Sequence, residues 1–176
     1  MINKNYLQSS DKLKEFFEDN GYLVLHDFFD KDYYLNLRKN LFSLKFKKDF
    51  ELTKYSYSKS KFDLNDDKEF SKFILDLTNL DLSKFFFEAF EFKWRDYTIL
   101  NDSSLDQNKY DIIFDFTGDW NSEFGGSIVY VKEEDFIKFE PKGNTLILLK
   151  KEYNRFVQYV NNLAKSRSRY FVLAKL

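Results

Sequence analysis

The segment YDIIFDFTGDWNSEFGGSIVY, residues 110 to 130, carries the strongest fold signal in the chain. At its start apolar side chains occupy every second position: Tyr110, Ile112, Phe114 and Phe116. This period of two predicts a β-strand with one buried face. A polar turn with Trp120 and the pair Gly125 and Gly126 follows, and SIVYV then predicts a second strand.

Two further strands are predicted downstream from NTLILL and RYFVLA. The four strands, at about 110–117, 126–132, 144–150 and 169–175, are spaced as antiparallel neighbours that form sheets packed face to face. Upstream, apolar residues at helical spacing predict helices near 11–19 and 31–43 that pack against an outer face, with a short strand from Tyr22 between them.

The middle of the chain is less regular. Residues 66–92 predict one or two helices that run into a strand, and residues 45–65 have a weak period that is typical of a loop or an irregular hairpin. Helices followed by strands predict an α+β fold with a sandwich or jelly-roll core. We expect one domain over 1–176, with a helical part at about 1–90 and a β-core at about 90–176.

Composition excludes several function classes. The 176 residues carry a net charge of −1, so no global basic field attracts nucleic acid. Cysteine is absent, which removes disulfides, thiolate metal sites and cysteine nucleophiles. Without a signal-peptide core or a run of ~18 apolar residues, we expect a cytoplasmic protein without membrane association. No phosphate-binding glycine loop or nucleophile elbow is present, and His26 is the single histidine.

The order of these segments resembles the prolyl-4-hydroxylase-like branch of the Fe(II)/2-oxoglutarate dioxygenases. The resemblance covers about residues 20–176 and rests on four stretches: GYLVLHDFF, YDIIFDFTGDWNSEFGGSIVY, PKGNTLILL and RYFVL. It implies a double-stranded β-helix, or jelly roll, in which the Gly-Gly pair precedes a core strand. Glycine suits that place because it permits positive φ and close backbone approach, and Trp120 would cover the turn.

The resemblance also implies an iron site, but this sequence has other residues at the ligand positions. Iron in such enzymes is held by a His-x-Asp pair and a distal histidine. Here Asn101 and Ser103 take the paired positions, with Asp102 between them, and Arg155 takes the distal one. Neutral amide and hydroxyl groups are weak iron ligands, and a permanent cation repels the metal. His26 is expected to be a structural or surface residue.

One position implied by the resemblance survives. Arg169 occurs where the family has the arginine that binds the far carboxylate of 2-oxoglutarate, which a guanidinium matches with two parallel hydrogen bonds. Phe171 replaces a serine and shares a strand face with Arg169, so it is expected to fill the place of the co-substrate. The alternative places Arg169 on the surface, within the basic cluster KSRSR at 165–169.

Alternating aspartates accompany these positions. Asp111 and Asp115 lie on one side of the first predicted strand, and with Asp102 they could supply partners to Arg155 and Arg169 in a shared cavity. Two other interpretations remain: an oxygen-ligand site for Mg²⁺ or Ca²⁺, and a solvated face of an amphipathic strand.

Three functions follow. The first is an oxygenase-like protein that has lost catalysis, needs no cofactor, and binds or regulates a protein partner. The second is an active prolyl or protein hydroxylase that uses Fe(II) and 2-oxoglutarate with atypical ligands. The third is a nucleic-acid-associated accessory domain that uses the lysines and KSRSR.

Overall fold

The computed structural model describes residues 1–64, 68–99, 110–150 and 154–175. Its α-helices are α1 (Lys4–Gln8), α2 (Ser10–Asn20), α3 (Lys31–Phe42) and α4 (Lys68–Thr78). Its strands are β1 (Tyr22–His26), β2 (Lys47–Glu51), β3 (Tyr55–Phe62), β4 (Phe86–Phe92), β5 (Tyr97–Thr98), β6 (Tyr110–Asp115), β7 (Ile128–Lys132), β8 (Asp135–Phe139), β9 (Thr145–Lys150), β10 (Asn154–Val157) and β11 (Arg169–Lys175). Short 3₁₀ turns occupy Leu82–Lys84, Ser122–Phe124 and Asn162–Ala164.

The strands form two antiparallel sheets. The large sheet has eight strands in the order β1-β9-β6-β11-β4-β3-β2, with β5 joined to β3, and the small sheet has the order β10-β7-β8. Several neighbours in the large sheet are distant in sequence, such as β1 and β9 or β4 and β11, which is typical of a jelly roll. The four strands predicted downstream of residue 110 are present as β6, β7, β9 and β11, so the predicted α+β jelly-roll class is confirmed.

The central strands of the large sheet, such as β6 and β9, are buried on both faces. One face packs against the helices, where Phe28, Phe70 and Phe114 belong to one apolar cluster. The other face packs against the small sheet, where Ile113, Tyr130 and Phe171 belong to a second cluster. Neighbouring residues of β6 therefore enter different cores, because side chains alternate across a strand. The helices cover the outer face, as predicted.

The division into a helical half and a strand half is wrong. Strands β1 to β4 all precede residue 93 and belong to the large sheet, with β1 paired to β9 and β4 paired to β11. Residues 45–65 contain the hairpin of β2 and β3, in which Asp49 pairs with Tyr57. No alternation of apolar residues marks β2 in the sequence, because this strand is mostly exposed on both faces.

None of the helices in the described residues is long and apolar enough to cross a membrane.

Candidate functional site

The Gly-Gly turn shapes the inner space between the two sheets. Gly125 has φ +76°, and a Cβ there would lie 2.0 Å from the carbonyl oxygen of Tyr159. Gly126 also has φ +76°, and its Cβ would lie 3.1 Å from Cδ of Arg169. Trp120 covers the turn, because its Nε1 donates to the Gly125 carbonyl at 2.9 Å. The first glycine therefore permits backbone approach, and the second makes room for an arginine.

Arg169 is completely buried beside this turn. It has no exposed surface, so the alternative that placed it in a surface cluster is wrong. Its Nε donates to the carbonyl oxygen of Gly126, and its Nη1 lies 3.2 Å from Oδ2 of Asp115 on the neighbouring strand β6. Burial lowers the pKa of Arg169, and the Asp115 charge acts in the opposite direction. Burial likewise raises the pKa of Asp115, more than Arg169 and hydrogen bonds from Thr117 lower it.

Phe171 lies next to Arg169 on the same face of β11. The Cζ atom of Arg169 lies 4.8 Å from the Phe171 ring centroid, which is a cation–π distance. The ring also stacks on Phe90 and Phe92, with centroids 5.1 and 5.6 Å away. Phe171 forms part of the wall of a cavity of about 180 Å³ that Arg155 also lines. An aromatic ring thus occupies the space beside the buried guanidinium.

Arg155 links the small sheet to the large one. From β10 its Nη1 lies 2.5 Å from Oδ2 of Asp111 on β6. The same carboxylate oxygen accepts the hydroxyl of Tyr130 at 2.7 Å. Burial, followed by the Asp111 charge, raises the pKa of Tyr130 well above its ordinary value, so this hydroxyl stays protonated. The three side chains form a polar bridge between the sheets.

The two arginines do not line one shared cavity. Both lie between the sheets, but Arg155 lines the cavity of about 180 Å³ and Arg169 does not. Phe171 belongs to the cavity wall and contacts the guanidinium of Arg169 from the other side. The prediction of a shared cavity is therefore wrong in this respect, because Asp115 and Gly126 hold Arg169 deeper in the core.

The remaining predicted positions divide into three groups. Asp111 and Asp115 are each 1% exposed, so the solvated-face interpretation of this strand is wrong. The positions Asn101, Asp102 and Ser103 lie outside the described residues. His26 lies on β1, and its Nδ1 is 3.0 Å from Oγ1 of Thr145, far along the chain from both arginine positions.

Sequence reasoning missed Tyr130 as a member of the site. The alternation of β7 contained the signal, since Ile128 and Tyr130 share a face and Ile128 belongs to the apolar core between the sheets. A tyrosine on that face needs an acceptor for its hydroxyl, and Asp111 supplies it.

Of the positions that the resemblance implies, the two within the described residues, Arg155 and Arg169, offer iron no ligand and 2-oxoglutarate no guanidinium without an ion-pair partner. The described residues contain no group of three or more histidine, cysteine, aspartate or glutamate side chains that could hold a metal ion. At the distal ligand position Arg155 brings a cation that is already paired with Asp111. At the co-substrate position the guanidinium of Arg169 already faces the carboxylate of Asp115. The arginines and aspartates thus neutralise each other within the chain.

The structure is similar to several known oxygenases. A prolyl-4-hydroxylase from Pseudomonas putida superposes with a TM-score of 0.76 at 11% identity, over 95% of this chain and 97% of that one. A 2OG-Fe(II) oxygenase family protein from Burkholderia pseudomallei gives 0.75 at 11% identity, over 94% and 89%. A prolyl hydroxylase from Trichoplax adhaerens, in complex with a hypoxia inducible factor peptide fragment, gives 0.73 at 14%, over 98% and 90%.

No protein-family model matches the chain, and no curated protein matches it by sequence. The fold is therefore that of the 2-oxoglutarate/Fe(II) oxygenases, and prolyl hydroxylases are among the structures that share it. At identities of 11–14% the likeness identifies the fold alone, so any function has to be argued from the residues of the site.

Proposed function

We propose that this chain is a binding or regulatory module built on the oxygenase fold, without the oxygenase reaction. The observation that supports this most is the ion pair of Arg155 with Asp111, at 2.5 Å and 12% and 2% side-chain exposure. A metal ion at this place would be repelled by the guanidinium of Arg155, and the nearby carboxylate of Asp111 already pairs with that guanidinium. Displacing Arg155 would also leave the buried carboxylate of Asp111 without this cation, which costs several kcal/mol.

A protein partner is supported by an apolar groove on the outside of the molecule. The groove has a volume of about 750 Å³ and runs between β5 and the end of β10. Ile99 and Tyr159 line it and are 44% and 50% exposed. The β2–β3 turn lies next to the groove, because the carbonyl of Lys54 accepts a hydrogen bond from the backbone N–H of Ile99 at 2.9 Å. Leu52 in this turn is 81% exposed. Exposed apolar surface of this kind is typical of protein interaction sites.

The absence of the reaction is tested by metal analysis and succinate release. Protein purified without chelator is analysed for metal, then incubated with Fe(II), ascorbate, 2-oxoglutarate and candidate prolyl peptides, beside an active prolyl hydroxylase as a positive control. We expect iron far below one equivalent and succinate at the level of the buffer blank. Iron near one equivalent with succinate above the blank would support the atypical-ligand hydroxylase instead.

The partner is tested with a matched pair of variants. Ile99→Asp with Tyr159→Asp places charge in the groove, whereas Phe136→Ser changes a side chain that is 69% exposed on β8, outside the groove. Proteins from the source cell that bind the wild type and Phe136→Ser, but not the groove variant, would support the proposal. Equal capture by all three proteins, with equal melting temperatures, would contradict it.

A further inference from the structure

Arg169 is a fully buried cation whose anionic partner, Asp115, belongs to the same chain. The guanidinium is fully buried and has two contacts besides its ion pair: Nε donates to the Gly126 carbonyl, and Cζ lies 4.8 Å from the Phe171 ring centroid. A buried cation requires an anion nearby. Within the described residues the carboxylate of Asp115, at 3.2 Å, is the one that forms an ion pair with it.

Asp115 neutralises the guanidinium but does not satisfy the hydrogen bonds of its two terminal nitrogens. Although both are buried, Nη1 and Nη2 of Arg169 have no well-aligned hydrogen-bond acceptor among the described residues, and Oδ2 of Asp115 has no donor. The other oxygen, Oδ1, is held by the backbone N–H of Thr117 at 2.8 Å. A carboxylate that is free to turn can accept two parallel hydrogen bonds from a guanidinium, whereas this tethered one cannot.

We propose that Asp115 is an internal substitute for an external carboxylate, so that Arg169 is an anion site which the chain itself keeps closed. The inference concerns Arg169, which lies with Arg155 between the two sheets, and it rests on the proposed loss of the oxygenase reaction: a co-substrate carboxylate would find this guanidinium already paired with Asp115. It implies that removal of the Asp115 carboxylate opens a site for a small monocarboxylate. The ligand class is that of formate and acetate, because the vacated space has the size of one carboxylate group.

The test is the thermal stability of Asp115→Ala with and without formate. Loss of one partner of a buried ion pair should lower the melting temperature by roughly 10 °C for a chain of this length. We expect about 100 mM sodium formate to restore roughly half of that loss, relative to the same concentration of sodium chloride, because formate binds the folded state. The wild type should shift equally in both salts and should not respond to 2-oxoglutarate.

Two controls assign the effect to Arg169. Asp135→Ala removes a carboxylate from the exposed start of β8 and should respond to formate as the wild type does. Asp115→Ala combined with Arg169→Met removes the cation as well, and should show no specific formate response. A formate response in the double variant would place the binding elsewhere and would overturn the proposal.

The folding of the variant does not limit the test. If Asp115→Ala folds only when it is refolded in formate, that result supports the proposal. If it folds without a formate response, or stays unfolded with formate present, the proposal is wrong. Because the readout is stability, this inference can fail while the absence of succinate release stands, and the reverse also holds.

Discussion

Substitution of Gly125 by alanine should be among the most damaging single changes in the chain. The residue has φ +76° and ψ −151°, a region that is essentially restricted to glycine. A Cβ there would lie 2.0 Å from the carbonyl oxygen of Tyr159, which is backbone and not a flexible side-chain end. The strained backbone costs about 1–3 kcal/mol, and the forced displacement adds about 1–3 kcal/mol.

The expected loss for Gly125→Ala is therefore about 4 kcal/mol, or roughly 8–16 °C in melting temperature for a chain of this length. Gly21→Ala is the matched control. Gly21 has φ +75° and ψ −4° at the end of α2, and its Cβ would meet Lys150 at 3.8 Å, an ordinary contact. Only the left-handed backbone is penalised there, at about 1–2 kcal/mol.

Thermal and urea unfolding of the two variants and the wild type measure this difference directly. Gly126→Ala should fall between them, because its Cβ would press on the side chains of Arg169, Trp120 and Val160 at 3.1–3.3 Å. If Gly125→Ala unfolds no earlier than Gly21→Ala, the turn does not approach the chain as described, and the explanation of the Gly-Gly pair is refuted.

Three further predictions concern buried polar groups. Asp111→Ala should lower the free energy of unfolding by about 3–5 kcal/mol, because it leaves Arg155 buried without this carboxylate. Asp111→Leu with Arg155→Met should lose only about 1–3 kcal/mol, because the buried Tyr130 hydroxyl then lacks its acceptor but no charge is left without its partner. Burial raises the pKa of Asp115 in the folded protein above its ordinary value of 3.8, so the folded state holds this proton more tightly than the unfolded state does. The free energy of unfolding of the wild type, relative to Asp115→Asn, should therefore fall as pH rises from 3.8 through the raised pKa. Tyr170→Phe should cost about 1 kcal/mol, because its hydroxyl donates to buried Glu91 at 2.7 Å; burial raises the Tyr170 pKa from 10.0 to about 12, so the difference should vanish between those pH values.

Urea unfolding over a pH series checks all three, and each has its own contradicting result. An Asp111→Ala protein as stable as its double variant would mean that the bridge between the sheets contributes nothing. A wild-type advantage over Asp115→Asn that grows with pH would show a lowered carboxyl pKa in the folded state. A Tyr170→Phe protein that differs from the wild type equally at pH 8 and pH 12 would contradict the raised tyrosine pKa of about 12.

The sequence by itself determined β6, β7, β9 and β11 and the helices α2 and α3, but not β8 and β10. The signals of the predicted elements are local, since short apolar or alternating runs between turn residues indicate strands and an amphipathic helix repeats at 3.6 residues. It also determined that Arg169 and Phe171 share a face, because two residues apart on a strand point the same way. The order of these elements left a sandwich or a jelly-roll core open, and the resemblance to the oxygenases implied the jelly roll.

Only the tertiary structure decided what covers each face. The alternation of β6 places Asp111 and Asp115 on one side, but whether water or a second sheet lies there depends on β7 and β10, which come later in the chain. For the same reason the pairing of β1 with β9 and the hairpin of β2 with β3 left little trace in the local pattern. The Arg155–Asp111 and Arg169–Asp115 pairs join residues 44 and 54 positions apart in the chain. A short-range pattern shows which residues share a face, whereas burial and ion pairing depend on contacts between distant segments, which form only when the chain folds.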